Sequence, residues 1–201
     1  MRRLPIYFLV DTSVEMLGYP MEALKNGFQL ILSNFRQNPH LIETGVLSIN
    51  NLSESNSKIN PLIDVSKYEL DDLQSSQFCF LGKSISLLID DIEKNVVKTT
   101  IEKKGDWKPL IFILLASEPK DEYLKIVNEF KKVKQRTIVI LVGNKVSIET
   151  ANTISNNVVN MDSLDSSQIS KFFAWSSGVV ISSELNPSKD DIQIINLKKQ
   201  F

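Results

Sequence analysis

A carboxylate and two hydroxyl groups follow a short apolar run near the start of the chain. Residues 4–10 read LPIYFLV, and Asp11, Thr12 and Ser13 come directly after them, with Glu15 two positions further on. Carboxylate and hydroxyl oxygens are the ligands that hard cations such as Mg²⁺ prefer. At the end of a buried strand, these residues predict either a metal-dependent binding site or a former one, in which the carboxylate accepts hydrogen bonds from loop amides.

The other chemically active side chains are few. Cys79 is the only cysteine and His40 the only histidine, which excludes an intramolecular disulfide and a zinc site of the usual ligand set within this chain. Cys79 lies between Phe78 and Phe80 without a basic neighbour, which favours a packed, inert thiol. We place His40 in a loop at the opposite edge of the sheet from Asp11, so a Ser/His/Asp arrangement is not favoured.

An aspartate at the end of a strand also occurs in phosphoryl-transfer enzymes that use it as a nucleophile. Those enzymes need a second acid two residues later, where this chain has Ser13. Residues 82–84 read GKS, but the earlier glycine of a phosphate-binding loop is missing. We therefore expect no enzymatic activity. The alternative is a divalent-cation-dependent hydrolase that reuses Asp11, Glu15 and Glu118.

Composition limits the partners and the location. The chain has 201 residues with 23 Lys and Arg against 24 Asp and Glu, so its formal net charge is −1 and no general basic field draws nucleic acid or anionic lipid. The apolar run near the start is too short for a signal peptide, and no stretch is long enough to cross a membrane. We expect a cytoplasmic protein that binds neither nucleic acid nor a membrane.

Hydrophobic periodicity predicts alternating strands and helices. Continuous apolar runs predict buried strands, and apolar residues at three- and four-residue steps predict helices. The predicted strands are 4–10, 41–49, 58–65, 108–117, 136–143 and a short edge strand at 158–159. The predicted helices contain 21–35, 81–96, a segment that Pro119 opens with Leu124, Val127, Phe130 and Val133 facing inward, 147–154 and 169–175.

This order predicts an α/β fold, a doubly wound and mainly parallel sheet with helices on both faces. Ligands of such sheets bind beyond the carboxyl ends of the strands. The segments 11–13, 116–118 and 143–144 follow three strands and should share that rim. We assign residues 1–178 to one domain and 179–201 to a tail, whose DIQIINL segment suits an edge strand or a partner-binding segment.

Several segments carry a family resemblance: MRRLPIYFLVDTS, PMEALKNGFQLILSNFRQNP, ETGVLSI, GDWKPLIFILL and EPKDE occur in this order. In order and spacing, they resemble the TerY-like proteins of tellurite-resistance clusters, which are von Willebrand factor type A domains. The resemblance implies a doubly wound sheet whose rim carries a metal-ion-dependent adhesion site. That site would consist of an Asp-x-Ser-x-Ser loop, a distant Thr and the Asp of a Thr-Asp-Gly triplet.

The sequence departs from this pattern at three of the five implied ligand positions. Asp11 and Ser13 match, whereas Glu15 stands in place of the second Ser. Cys79 stands in place of the Thr, and residues 115–117 read LAS in place of the Thr-Asp-Gly triplet. A thiol is a poor ligand for a hard cation, and alanine offers no ligand. The resemblance therefore implies a degenerate site, and we expect no metal or other cofactor.

A rebuilt site is the alternative, in which Asp11, Ser13, Glu15 and Glu118 bind Mg²⁺ or Mn²⁺ and gate protein binding. In either case we expect a non-enzymatic interaction module of a bacterial tellurite-resistance, stress or defence system. The resemblance implies a kinase or phosphatase encoded nearby as partner. The predicted partner-binding rim consists of Asp11, Ser13, Glu15, Met16, Leu17, Tyr19, Phe80, Ser117 and Glu118. The sequence leaves open whether Met16 and Leu17 are exposed or packed under neighbouring loops.

Overall fold

Strands and helices alternate along the chain, as the periodicity predicts. The computed structural model describes residues 2–133, 135–143, 145–163 and 166–185. The elements are β1 (Leu4–Val10), α1 (Tyr19–Gln37), β2 (Gly45–Asn51), β3 (Ile63–Asp64), α2 (Leu81–Asn95), β4 (Leu110–Leu115), α3 (Leu124–Phe130), β5 (Arg136–Val142), α4 (Ile148–Ile154), β6 (Val158–Met161) and α5 (Ser166–Leu185).

The strands form one six-stranded sheet in the order β3-β2-β1-β4-β5-β6. The strand β3 is antiparallel to β2, and every other neighbouring pair is parallel. This arrangement confirms the predicted doubly wound, mainly parallel α/β fold. It also brings the carboxyl ends of β1, β4 and β5 side by side at one edge of the sheet.

Side-chain alternation along the strands creates a core on each face of the sheet. In β4, Leu110, Phe112 and Leu114 pack with α1 and α5, whereas Ile111 and Ile113 pack with α2, α3 and α4. Both faces are covered, which explains why the strands read as continuous apolar runs. The helices α1 and α5 approach closely at one point. A Cβ at Gly27 would lie 2.0 Å from the ring of Phe173.

The third helix is shorter than the sequence predicts. It begins at Leu124 and not at Pro119, and Leu124 is exposed, although Val127 and Phe130 are buried as expected. The preceding residues have other partners. The Lys120 N–H donates to the Cys79 carbonyl at 2.9 Å, and Asp121 accepts a hydrogen bond from the Lys83 N–H at 2.8 Å. These contacts hold Lys120 and Asp121 against the start of α2, and the helix begins only at Leu124.

The last helix extends beyond the predicted domain boundary. It continues to Leu185, and Val179 and Val180 are buried in the core, so the predicted boundary at residue 178 falls inside α5. The DIQIINL segment of the predicted tail lies outside the described residues. Among the helices that are described, none is long and apolar enough to cross a membrane.

Residues 2–5 of the segment MRRLP meet the segment GDWKP at the amino end of β1 and β4. Arg3 donates to both carboxylate oxygens of Asp106, from Nε at 3.1 Å and from Nη2 at 2.6 Å. The Val97 N–H also donates to Asp106, at 2.9 Å. Beside this pair, the Arg2 guanidinium lies 3.5 Å from the centre of the Trp107 ring. The contacts fix the start of both central strands to the end of the α2–β4 connection.

The environment of Asp106 makes this contact dependent on pH. Burial by itself would raise the pKa of the Asp106 carboxyl, but the hydrogen bonds from Arg3 and the Val97 N–H outweigh it, and the pKa lies below its ordinary value. A carboxyl whose pKa is lower in the folded than in the unfolded state adds stability above the unfolded value, about 3.9. That stability is lost as the pH falls through the folded value.

We expect Asp106→Asn to lower the free energy of unfolding by about 1.5–3 kcal/mol at pH 7, because it removes hydrogen bonds to a charged group. The difference from wild type should shrink as the pH falls through the pKa of Asp106 in the folded state, because the wild-type carboxyl then loses its charge. Urea unfolding at several pH values measures this, with the exposed Asp90→Asn on α2 as control. A penalty that does not change with pH would contradict the assignment.

Candidate functional site

Asp11 is fully buried where β1 ends. Its Oδ1 accepts a hydrogen bond from the Ser13 N–H at 2.8 Å. Its Oδ2 accepts three more, from the N–H groups of Ala116 at 3.0 Å and Ser117 at 2.8 Å and from the Ser117 hydroxyl at 2.8 Å. One carboxylate thereby ties the loop after β1 to the loop after β4. The predicted hydrogen bonds from loop amides are present.

Hydroxyl groups continue this network across the rim. The hydroxyls of Ser13 and Ser117 are 2.9 Å apart, so Ser13, Ser117 and Asp11 form a connected chain of hydrogen bonds. On the other side, the Ser76 N–H donates to the Thr12 carbonyl at 2.8 Å, which attaches the loop before α2. Two loops of the rim, the one after β4 and the one before α2, are therefore fixed to the residues that directly follow β1.

The donors around Asp11 do not suit a cation. Both carboxylate oxygens already accept hydrogen bonds from N–H groups, which present positive charge to the position that a metal ion would need. Ala116 supplies no side-chain ligand, and Cys79 supplies a buried thiol. Within the described part of the chain, no group of three or more His, Cys, Asp and Glu side chains could hold a metal ion. The residues present do not fit a metal-ion-dependent adhesion site.

The two glutamates of the alternative, rebuilt site have other partners. Glu118 accepts hydrogen bonds from the Ser147 N–H at 2.6 Å and from the Thr150 hydroxyl at 2.9 Å, at the start of α4. A Glu15 carboxylate oxygen lies 4.0 Å from the Lys145 ammonium group on the surface. The structure thus brings Asp11, Ser13 and Ser117 together, but it places Glu15 and Glu118 in separate interactions.

The Cys79 thiol is buried close to this network. Burial raises its pKa, and the negative charges of Asp11 and Asp121 raise it further. The thiolate, which is the reactive form, is therefore strongly disfavoured at neutral pH. His40 is exposed in a short turn between α1 and β2, at the amino edge of the sheet. Both placements agree with the inert thiol and the loop histidine that the sequence predicts.

Exposed apolar side chains surround the buried network. The exposed fractions are 50% for Val14, 52% for Leu17, 56% for Tyr19 and 40% for Phe78. We call these four residues the rim surface. Lys120 lies above the Phe78 ring, with its Nζ 5.8 Å from the ring centre. Single exposed apolar residues are ordinary, but Val14 and Leu17 after β1, Tyr19 at the start of α1 and Phe78 before α2 all lie at the same edge of the sheet, which suits a protein partner.

Of the predicted rim, only Glu15, Leu17 and Tyr19 are exposed; Asp11, Ser13 and Met16 are buried, and Phe80, Ser117 and Glu118 are half-buried. Met16 is only 1% exposed and packs in the core beneath the loop, so it does not present its side chain to a partner. Phe80 is half-buried just before α2. Of the Met16 and Leu17 pair, which the sequence left open, one is packed and the other is exposed. The backbone turn Val14–Met16 ends at Met16, and the backbone of Leu17 is extended, so the two side chains have different environments.

Sequence reasoning missed the roles of three residues. It places Ser117 in the rim, but it does not predict that the Ser117 hydroxyl donates to Asp11 and completes the network. Asp121 accepts a hydrogen bond from the first turn of α2, and Val14 joins the rim surface. The sequence position of Ser117 could have indicated this role. A serine two residues after a buried strand lies where its hydroxyl can donate a hydrogen bond to the end of a neighbouring strand. No local pattern predicts the contact of Asp121, which depends on the path of a loop.

Comparison with solved structures identifies the fold. No protein-family model and no curated protein sequence matches the chain. Proximal thread matrix protein 1 from the mussel byssus superposes with a TM-score of 0.61 at 11% identity, over 90% of this chain and 46% of that chain. The ArnB paralog VWA2 from Sulfolobus acidocaldarius gives 0.53 at 12% identity, over 92% and 46%. The fold is that of a von Willebrand factor type A domain.

The chain spans less than half the length of these solved structures. The pilus adhesin SpaC from Lactobacillus rhamnosus GG also resembles this chain in fold, with a TM-score of 0.59 at 9% identity over 91% of this chain and 30% of that one. Another crystal structure of the mussel protein has a zinc-occupied metal-ion-dependent adhesion motif. At these identities the likeness establishes the fold alone. The TerY-like resemblance stays a prediction.

We expect Asp11→Ala to lower the free energy of unfolding by about 3–5 kcal/mol, because it leaves buried N–H groups and a hydroxyl without an acceptor. Ser117→Ala removes one hydroxyl and should cost about 1 kcal/mol. Chemical denaturation in the presence of EDTA measures both variants, so that no metal contributes. Equal losses for the two variants would show that the Asp11 carboxylate does not hold the rim together.

Proposed function

We propose that this von Willebrand type A domain is a non-enzymatic interaction module that binds a protein partner on its rim surface without a metal ion. The observation that carries the proposal is the combination of Val14, Leu17, Tyr19 and Phe78 in exposed positions with a fully buried, fully hydrogen-bonded Asp11 beneath them. The rim offers apolar contact area, while its one buried carboxylate is already used for structure.

The loops that present the rim surface are well anchored. The Phe80 N–H donates to the Leu52 carbonyl at 3.1 Å, and the Lys120 N–H donates to the Cys79 carbonyl at 2.9 Å. Together with the Asp11 contacts, these bonds hold the loops carrying Leu17 and Phe78. Preorganised loops lose less conformational entropy when a partner binds, which favours affinity for a given contact area. The rim can therefore serve as a rigid docking surface.

Metal-gated binding is the second candidate, because a structural neighbour has a zinc-occupied motif at the corresponding kind of site. In this chain, such gating would require Glu15 to leave the neighbourhood of Lys145 and Glu118 to release the start of α4. A divalent-cation hydrolase would need the same rearrangement and, in addition, a substrate pocket above Asp11. The hydrogen-bond network supports docking without metal over both alternatives.

The biological setting follows the family resemblance. We propose a cytoplasmic role in a bacterial tellurite-resistance, stress or defence system, with a kinase or a phosphatase encoded nearby as the partner. The formal net charge of −1 gives no general attraction to nucleic acid. The apolar character of the rim surface is compatible with a folded protein as the partner.

We expect the thermal midpoint to be the same in EDTA and in millimolar Mg²⁺ or Mn²⁺. A metal ion at a hundredfold excess over its dissociation constant adds about 2.7 kcal/mol, which for a chain of this size raises the midpoint by roughly 5–10 °C. Scanning calorimetry of the wild type and of Glu15→Gln measures this. An increase of that size in wild type that Glu15→Gln abolishes would favour the rebuilt site and metal-gated binding.

We expect Leu17→Asp to weaken binding of the proposed partner, a kinase or a phosphatase encoded nearby, because it places a charge in an apolar contact. The dissociation constant should rise at least about tenfold, which corresponds to about 1.4 kcal/mol. Titration calorimetry with each purified partner, in EDTA, measures the affinity. The control is Ile101→Asp, on the exposed connection between α2 and β4. Equal affinities for wild type and Leu17→Asp would exclude the rim surface, and no binding of either protein would exclude these partners.

A further inference from the structure

A groove lies between α1 and α5 on the outside of the domain. Its volume is about 330 Å³, and its wall includes Leu30, Ile31, Asn34, Phe173, Ala174 and Ser177. Leu30 is 62% exposed at the side of this groove. An apolar side chain of this size on a helix beside an open groove leaves contact area that the described part of the chain does not cover.

The outward face of α5 has little charge for a helix that faces water. Up to residue 182 its exposed positions carry small side chains with a single charged one, in the order Ser167, Ser170, Lys171, Ala174, Gly178 and Ser182, and the last residue, Leu185, is exposed as well. By comparison, the exposed positions of α2 include Lys83, Asp90, Glu93 and Lys94. Surface helices normally place charged residues on the solvent side. The composition of α5 therefore suits a helix face that another segment covers.

The sequence after α5 supplies a candidate for that segment. Residues 186–191 read NPSKDD, and Ile192, Ile194, Ile195 and Leu197 follow within six positions. Proline is common one or two residues after a helix ends, because it cannot continue the helix. The groove between α1 and α5, where Leu30 is exposed, is an open surface on which such apolar residues can pack.

The geometry allows the segment to reach the groove. Glu184 accepts hydrogen bonds from the N–H and hydroxyl of Thr44, which places the end of α5 beside the start of β2. Residue 174, at the groove, lies eleven helical positions earlier, or about 16 Å along the axis at 1.5 Å per residue. Residues 186–191 span up to about 20 Å when extended. The chain can therefore turn back and place residue 192 at the groove.

We propose that residues 192–197 of this chain pack into the groove between α1 and α5 and cover Leu30. Leu30 supplies exposed apolar contact area at the groove, and the small residues Ala174 and Ser177 leave room for the backbone of the segment. The surface is separate from the rim surface, so the proposal does not depend on the proposed function. Under this proposal, the tail segment that the sequence predicts as an edge strand or partner-binding segment binds to its own domain.

The test is the alkylation rate of a cysteine placed in the groove of the full chain. Leu30→Cys is compared in the otherwise native chain and in a chain with Ile192, Ile194, Ile195 and Leu197 all replaced by serine. Native Cys79 is fully buried and does not compete for iodoacetamide. Ile101→Cys, on the exposed α2–β4 connection, is the matched control in both backgrounds. Ala174→Cys provides a second probe on α5.

We expect the serine substitutions to speed alkylation at positions 30 and 174 about tenfold, as for a groove covered nine-tenths of the time, and to leave position 101 unchanged. Equal rates at position 30 in the two backgrounds would overturn the proposal. Protection that falls when the protein is diluted would also overturn it, because a second copy would then be the occupant. Acceleration at all three positions would indicate a general loss of structure and would likewise contradict specific packing.

Discussion

The Asp11 carboxylate is the interaction on which the rim depends. It lies at the end of a central strand, where burial would be costly for an unpaired charge, and four donors from two loops compensate that cost. In a cation-binding site, the carboxylate oxygens must remain available to the ion. Here the Ser13 N–H takes one oxygen and the loop after β4 takes the other, and the Ser117 hydroxyl also contacts the Ser13 hydroxyl in the loop after β1. An aspartate at the strand end, where a cation-binding site would use it as a ligand, thus has a structural role in this chain.

The central sheet makes this arrangement possible. The strands β1 and β4 are parallel neighbours, so their carboxyl ends bring residue 11 next to residues 116 and 117, more than a hundred positions away in sequence. Packed helices on both faces leave the edge of the sheet as the place where polar groups meet. Glu118 and Asp121 use the same edge to bind the first turns of α4 and α2. Carboxylates at this edge therefore join secondary-structure elements.

Much of this structure follows from sequence patterns, and the exceptions have physical causes. Continuous apolar runs predict β1, β4 and β5 correctly, because strands buried on both faces leave little room for polar residues. The rim position of Asp11 follows from strand order alone. The start of α3 could not be predicted, because Lys120 and Asp121 bind distant residues in preference to the helical hydrogen bonds that Pro119 suggests. The burial of Met16 beside exposed Leu17 depends on one backbone turn.

The contact of Arg3 with Asp106 has a consequence for the comparison of sequences. MRRLP and GDWKP are the two most specific segments of the family resemblance, and residues 2–5 of the first meet the second at the amino edge of the sheet, where Arg2 also covers Trp107. The rim surface lies at the opposite edge, beyond the carboxyl ends of the same strands. Similarity in those segments therefore reflects how the amino ends of β1 and β4 are held together. Two chains can share that anchor and still recognise different molecules at the other end.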